Sequence, residues 1–99
     1  MDHPQEFVYL GERLKMNDSI KNWIIEWFKE NTELKDEEIK IHDNYFEKGW
    51  IDSFQFISFV SDLEKKYDIH FSNDEFQDRS FSTIGGVVEI IGRRINEKG

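Results

Sequence analysis

Apolar residues recur at helical spacing in three stretches of this chain. Ile20, Trp23, Ile24, Trp27 and Phe28 fall at i, i+3, i+4, i+7 and i+8, which is one buried stripe. Lys21, Asn22, Glu26, Lys29 and Glu30 lie mostly off it. The spacing predicts a helix over 18–31, with Asn17 or Asp18 as its cap. A second helix is predicted over 53–67. Steps of 100° per residue gather Phe56, Ile57, Val60, Leu63 and Tyr67 into one arc, with Phe59 at its edge. Phe54 is off this arc, because its i+4 and i+7 neighbours are Ser58 and Ser61. Ser72 and Glu75 form a capping box for a short helix ending at Gln77. Ser82 or Thr83 caps a last helix to about residue 95, with Ile84, Val87, Val88, Ile91 and Ile95 as its stripe. Gly85 and Gly86 fall in its first turn, where close packing would explain them. No stretch alternates like a strand. The expected fold is all-α: three longer helices, a short one before the last, and a long first loop.

That loop, residues 32–52, carries Leu34, Ile39, Ile41, Tyr45 and Phe46 as spaced anchors. A connection of this length is unusual unless it is anchored or functional. Asp43-Asn44 before Tyr45-Phe46 suggests one helical turn within it. Residues 1–16 read as an appendage to a domain at 17–99. Phe7-Val8-Tyr9-Leu10 before Gly11 would be a docked turn or a mobile arm, and Pro4 argues against regular structure at the start.

The loop ends in Gly49-Trp50-Ile51-Asp52-Ser53-Phe54. Asp52 is a good N-cap, and Gln55 stands where its capping-box partner belongs. Ser53 is then the first helical residue, with a hydroxyl that capping does not need. A phosphate attached there would sit in the positive potential of the helix N-terminus.

Composition narrows the chemistry. Ninety-nine residues make one small domain. With no cysteine there is no disulfide, thiolate nucleophile or Cys-based zinc site, which fits a cytoplasmic protein. No apolar run is long enough to span a membrane, and no secretory signal pattern opens the chain. The net charge is −8, and residues 31–81 hold 13 acids against 6 bases. Such a surface repels nucleic acid and anionic membrane and attracts basic proteins. There is no Gly-x-Ser-x-Gly elbow, and nothing in the sequence brings His3, His42 or His70 to Ser53, so an enzyme is not expected. His42-Asp43 and Asp68-x-His70 are isolated ligand pairs, and no metal is expected either.

The run from Asn44 to Phe54, Asn44-Tyr45-Phe46-Glu47-Lys48-Gly49-Trp50-Ile51-Asp52-Ser53-Phe54, leads into an apolar helix ending Leu63-Glu64-Lys65-Lys66-Tyr67-Asp68-Ile69. Together they resemble the acyl carrier proteins. Ser72-Asn73-Asp74-Glu75-Phe76 and Phe81-Ser82-Thr83-Ile84 are similar to the start of that family's third and fourth helices. The likeness covers about residues 17–95. It implies a four-helix bundle of acyl-carrier type. It also implies that Ser53, at the serine of the family's Asp-Ser-Leu motif, is esterified with 4′-phosphopantetheine by a phosphopantetheinyl transferase. The thiol of that arm would hold acyl groups as thioesters, so the cofactor supplies what the cysteine-free chain lacks.

Partners implied by the resemblance are the transferase and the acyl-loading and acyl-using enzymes, which meet a monomer. Phe54 replaces the usual leucine, and Gln55 and Ser58 stand where fatty-acid carriers commonly have docking acids. The form is more similar to stand-alone carriers of specialised lipid or secondary-metabolite pathways, aminoacyl carriers included. The competing reading is a helical interaction module without a prosthetic group. Trp50, three residues before Ser53, would either sense the arm or pack as a lid on the core. Phe54 would anchor partners while flanking acids such as Glu47, Asp74, Glu75 and Asp78 steer them.

Overall fold

A computed structural model describes the backbone of residues 4–98 and the side chains of residues 15–95. Four helices follow one another: α1 (Pro4–Asn31), α2 (Ser53–Tyr67), α3 (Asn73–Gln77) and α4 (Ile84–Lys98). Single 3-10 turns stand at Asp36–Glu38 and Arg79–Ser82. Among the described residues there is no strand, only an isolated antiparallel bridge between Asn44 and Thr83. The all-α, four-helix expectation holds.

The first helix differs from its predicted start. It begins at Pro4 and passes through Asn17 and Asp18 without a break. Pro4 is the first helical residue, where a missing N–H costs nothing. Asn17 is a packing residue rather than a cap: a Cβ on Gly92 of α4 would lie 2.8 Å from its Oδ1. Asp18 pairs instead with Lys21 one turn on, at 3.8 Å.

The predicted stripe of α1 is the buried one. Ile20, Ile24, Trp27 and Phe28 are in the core, and Trp23 is half-buried. On α2 the buried face is turned from the predicted arc. Phe59 is fully buried, and Ile57 is largely exposed. The cause lies on α1. Trp27 and Phe28 hold the Phe59 ring at centroid distances of 4.9 and 5.3 Å. Trp27 Nε1 also donates to Asp62 Oδ2 at 2.8 Å. Together these contacts set the rotation of α2 about its own axis.

The long connection is anchored as its spacing suggests. Ile39, Tyr45 and Ile51 are buried, and Leu34, Ile41 and Trp50 pack partly against the core. Tyr45 makes the decisive contacts. Its N–H donates to Ser82 O at 3.0 Å, and its hydroxyl donates to Phe81 O. The Gly85 N–H donates to Ile41 O at 2.9 Å. The turn after Asn44 is a single one: Asn44 Oδ1 accepts from the N–H groups of Phe46 and Glu47, and the Lys48 N–H closes on Asn44 O. Gly49 leaves that turn at a φ of +72°, a conformation glycine reaches without strain.

Later elements follow the sequence closely. Ile69 and Phe71 are buried in the extended link after α2. Ser72 and Glu75 close the predicted capping box of α3. Thr83 caps α4 through a 3.0 Å bond from the Gly86 N–H. A Cβ on Gly86 would lie 1.8 Å from Ser80 O, so glycine is there because backbone passes against backbone. Ile84, Val87, Val88 and Ile91 are buried as expected, Ile95 is half-buried, and Ile90 joins the core.

Tyr45 makes the fold sensitive to alkali. Burial raises its phenol pKa well above the ordinary value, because a buried phenolate loses its hydration. In the unfolded chain the phenol ionises near pH 10. Above that pH the folded chain binds more protons than the unfolded one. Stability present below about pH 10 should therefore fall as pH rises, by up to about 1.4 kcal/mol per pH unit. Half-buried Tyr67, shifted the same way, adds less. Tyr45→Phe should lose most of this slope. At neutral pH it should cost about 1–3 kcal/mol, because Phe81 O loses its donor. Urea unfolding at a series of alkaline pH values measures both effects.

Candidate functional site

Ser53 is the first residue of α2, and its side chain is exposed. The turn that holds it is closed by a reciprocal pair of bonds. Gln55 N–H donates to Asp52 Oδ1 at 2.8 Å, and Asp52 N–H donates to Gln55 Oε1 at 3.0 Å. Gln55 does more than the sequence suggests. Its Nε2 donates to Asn31 O at 3.3 Å, which ties the start of α2 to the end of α1. Before the turn, Ile51 is buried, and Trp50 rests edge-on against Phe28 at 6.2 Å between centroids. Ser53 is thus fixed from three sides: by its cap, by the anchored loop and by α1.

The surroundings of the hydroxyl suit an anion. Asp52 turns one carboxylate oxygen to the Gln55 N–H, and the first turn of α2 contains no acidic residue. The first N–H groups of a helix have no intrahelical acceptor and carry the positive end of its dipole. Among the described residues the Ser53 hydroxyl has no hydrogen-bond partner, so it is available for substitution.

The other candidates of the sequence do not join it. His70 follows the far end of α2, about 20 Å along the helix axis from Ser53. There it faces Glu64 at 3.7 Å. His42 lines a separate groove with Asn17, Lys21 and Gly85. His3 lies outside the described residues. Among the described residues no group of three or more metal-ligating side chains is brought together.

A family model for the phosphopantetheine attachment site matches residues 22–91. The chain belongs to that family. Neither a curated protein nor a solved structure matches it. The family is one of carriers, and its prosthetic group is 4′-phosphopantetheine. The geometry at Ser53 fits such a group: an exposed, unpartnered hydroxyl at a helix N-terminus, with the nearest carboxylate engaged as a cap. The match takes in all of α2, α3 and the loop before them, and starts five residues after Asn17.

Of the acids expected to steer partners, Glu75 and Asp78 are engaged within the fold, and so are Asp62 and Glu64 on α2. Asp62 holds Trp27. Glu64 accepts the Phe71 N–H at 2.9 Å. Glu75 caps α3 and lies 3.6 Å from Arg94. Asp78 accepts from the N–H and hydroxyl of Ser80, which holds its carboxyl below the usual range. Sequence reasoning missed the exposure of Ile57. The available signal was its spacing of three from Phe54, which puts both on one face.

The division of labour between cap and hydroxyl is testable on the unmodified protein. Asp52→Ala should destabilise the fold by about 0.5–2 kcal/mol, the usual cost of an N-cap. Ser53→Ala should stay within about 0.5 kcal/mol of wild type. Denaturant unfolding of the two variants compares them directly.

Proposed function

We propose that Ser53 is the residue esterified with 4′-phosphopantetheine, and that the chain holds acyl intermediates as it passes them between enzymes. The observation that carries this reading is the free hydroxyl of Ser53 at the capped start of α2, inside a stretch that matches the attachment-site family. When bound, the group supplies a flexible arm whose thiol holds acyl groups as thioesters. The chain's own residues do the rest. Asp52 and Gln55 hold the turn, so that Ser53 is presented in one orientation. The helix N-terminus stabilises the negative phosphodiester. Tyr45 and Ile51 keep the preceding loop off the hydroxyl by fastening it to the core.

In this reading residues 17–99 form the carrier domain and residues 1–16 its appendage, though α1 runs through both. Partners are a phosphopantetheinyl transferase and the enzymes that load and use the acyl group. A specialised lipid or secondary-metabolite pathway is favoured over housekeeping fatty-acid synthesis, because Gln55 and Ser58 stand at positions where acids serve docking in fatty-acid carriers. The same feature favours an aminoacyl load as the second reading. Absence of cysteine and a net charge of −8 are in keeping with a cytoplasmic monomer that binds neither nucleic acid nor membrane. No helix among the described residues is long and apolar enough to cross a membrane.

Incubation with coenzyme A and a phosphopantetheinyl transferase, followed by intact mass spectrometry, tests the site. Wild type should gain one phosphopantetheine and Ser53→Ala none. Modification at another serine, or no modification by any competent transferase, would overturn the assignment. Mass spectrometry of the protein taken from its own source identifies the load and separates acyl from aminoacyl.

A further inference from the structure

A shallow groove of ≈ 240 Å³ lies between α2 and α3, lined by Phe56, Ile57, Val60, Ser61, Glu64 and Phe76. It begins one turn along α2 from Ser53. An apolar group tethered at Ser53 could leave water there only if the bundle opened behind the groove. Rings stand in the way. Each element around the groove contributes one: Phe56 from α2, Phe71 from the link after it, Phe76 from α3 and Phe81 from the turn before α4. Phe81 meets Phe56, Phe71 and Phe76 at 6.0, 4.9 and 5.0 Å between centroids. Phe76 closes the set, 6.3 Å from Phe56 and 5.9 Å from Phe71. These are contact distances for aromatic rings, so the four form one close-packed plug. Behind it stands the fully buried ring of Tyr45, 6.3 Å from Phe56.

The plug is also held in place. The Tyr45 hydroxyl donates to Phe81 O, which fixes the backbone that bears the most buried of the four rings. Arg94 of α4 lies 3.6 Å from Glu75 and donates to His70 O, so α3 and the link before it are fastened to α4. Moving α3 aside would break these contacts and expose Phe71 and Phe81 to water. Aliphatic side chains can make room by changing rotamer. A ring cannot change its shape, and crowding a filled interior is costly.

We propose that the plug of Phe56, Phe71, Phe76 and Phe81 keeps the load outside the bundle, and that the chain therefore carries short or polar acyl groups rather than long alkyl chains. This rests on Ser53 bearing the arm. A long alkyl chain shut out of the fold stands in water, at a cost that grows with every methylene. A short or polar load has little to gain from burial. The four rings thus decide which loads the free carrier tolerates.

Thermal unfolding of loaded forms tests it. A transferase given acetyl- or octanoyl-coenzyme A prepares the two forms, and intact mass confirms each. The octanoyl form should melt no more than about 2 °C above the acetyl form. Burial of even a few methylenes would raise its Tm by about 10 °C. A rise beyond the expected limit, with both loads on Ser53, overturns this proposal and leaves the Ser53 assignment standing. A wild type that no transferase modifies overturns both. Phe76→Ala opens the plug at its exposed edge, and its octanoyl form should melt at least about 5 °C above its acetyl form. A folded variant without that gain shows that the rings are not the barrier and rejects the proposal. If the variant does not fold, the wild-type comparison decides alone. On protein from its own source the load should be shorter than octanoyl or bear polar groups, and a long alkyl load there overturns the proposal.

Discussion

The attachment of Tyr45 to the backbone before α4 is the constraint on which the rest of the structure depends. Twenty-one residues separate α1 from α2, and they form no regular element beyond one 3-10 turn. Closing such a loop costs conformational entropy that local contacts do not offset. Tyr45 offsets it from the middle. Its ring is fully buried, and its N–H and hydroxyl satisfy two successive carbonyls, Ser82 O and Phe81 O. The loop is thereby divided into two short spans. The second span is turned by Gly49, packs Ile51 into the core, and has only Asp52 left before α2 begins. The position of Ser53 is inherited from this chain of fixed points.

The interior that receives Tyr45 is built from rings. Phe28, Tyr45 and Phe59 contact one another at 5.3–6.0 Å, and Phe56, Phe71, Phe76 and Phe81 continue the cluster toward α3. Aromatic side chains bury a large area for few rotatable bonds, which suits a small chain with little core to spare. They are also hard to accommodate completely on the thin side of the bundle. α3 has five residues and buries none of them fully. Phe76 consequently packs against Phe56, Phe71 and Phe81 and still stays partly in solvent. The apolar surface beside α2 is partly a product of this aromatic packing.

Much of this was legible in the chain. Every capping pair read from the sequence forms, because a cap joins residues three apart and needs no distant partner. The stripes of α1 and α4 were legible because a helix with one buried side declares it in its period. The rotation of α2 was less so. A helical wheel places Phe56, Ile57, Phe59 and Val60 within one half-turn, and only Trp27 and Phe28, about thirty residues earlier, decide that Phe59 goes inward and Ile57 outward. Gly11 disguised the start of α1, since glycine weakens a helix interior, and Pro4 reads as a break although proline is well placed as a first helical residue. At the site, the capped turn and the spare hydroxyl of Ser53 were visible. The bond from Gln55 to Asn31 O was not, because no pattern links residues 24 apart.

The same distinction governs how the negative charge is used. A count of 21 acids suggests an electrostatic surface that any basic partner could grip. Yet a carboxylate that already accepts hydrogen bonds from its own chain has little left to offer at contact distance. Asp62, Glu64, Glu75 and Asp78 are each engaged in this way, and together they hold α1 to α2, the link after α2, α3 and the turn before α4. Their charges still act at a distance, where only the summed field matters and hydrogen bonding is irrelevant. Their removal would disturb folding and docking together, so neutralising them cannot isolate recognition. The acids that staple the bundle are therefore distinct from the apolar residues, Phe54 and Ile57, that the bundle leaves uncovered.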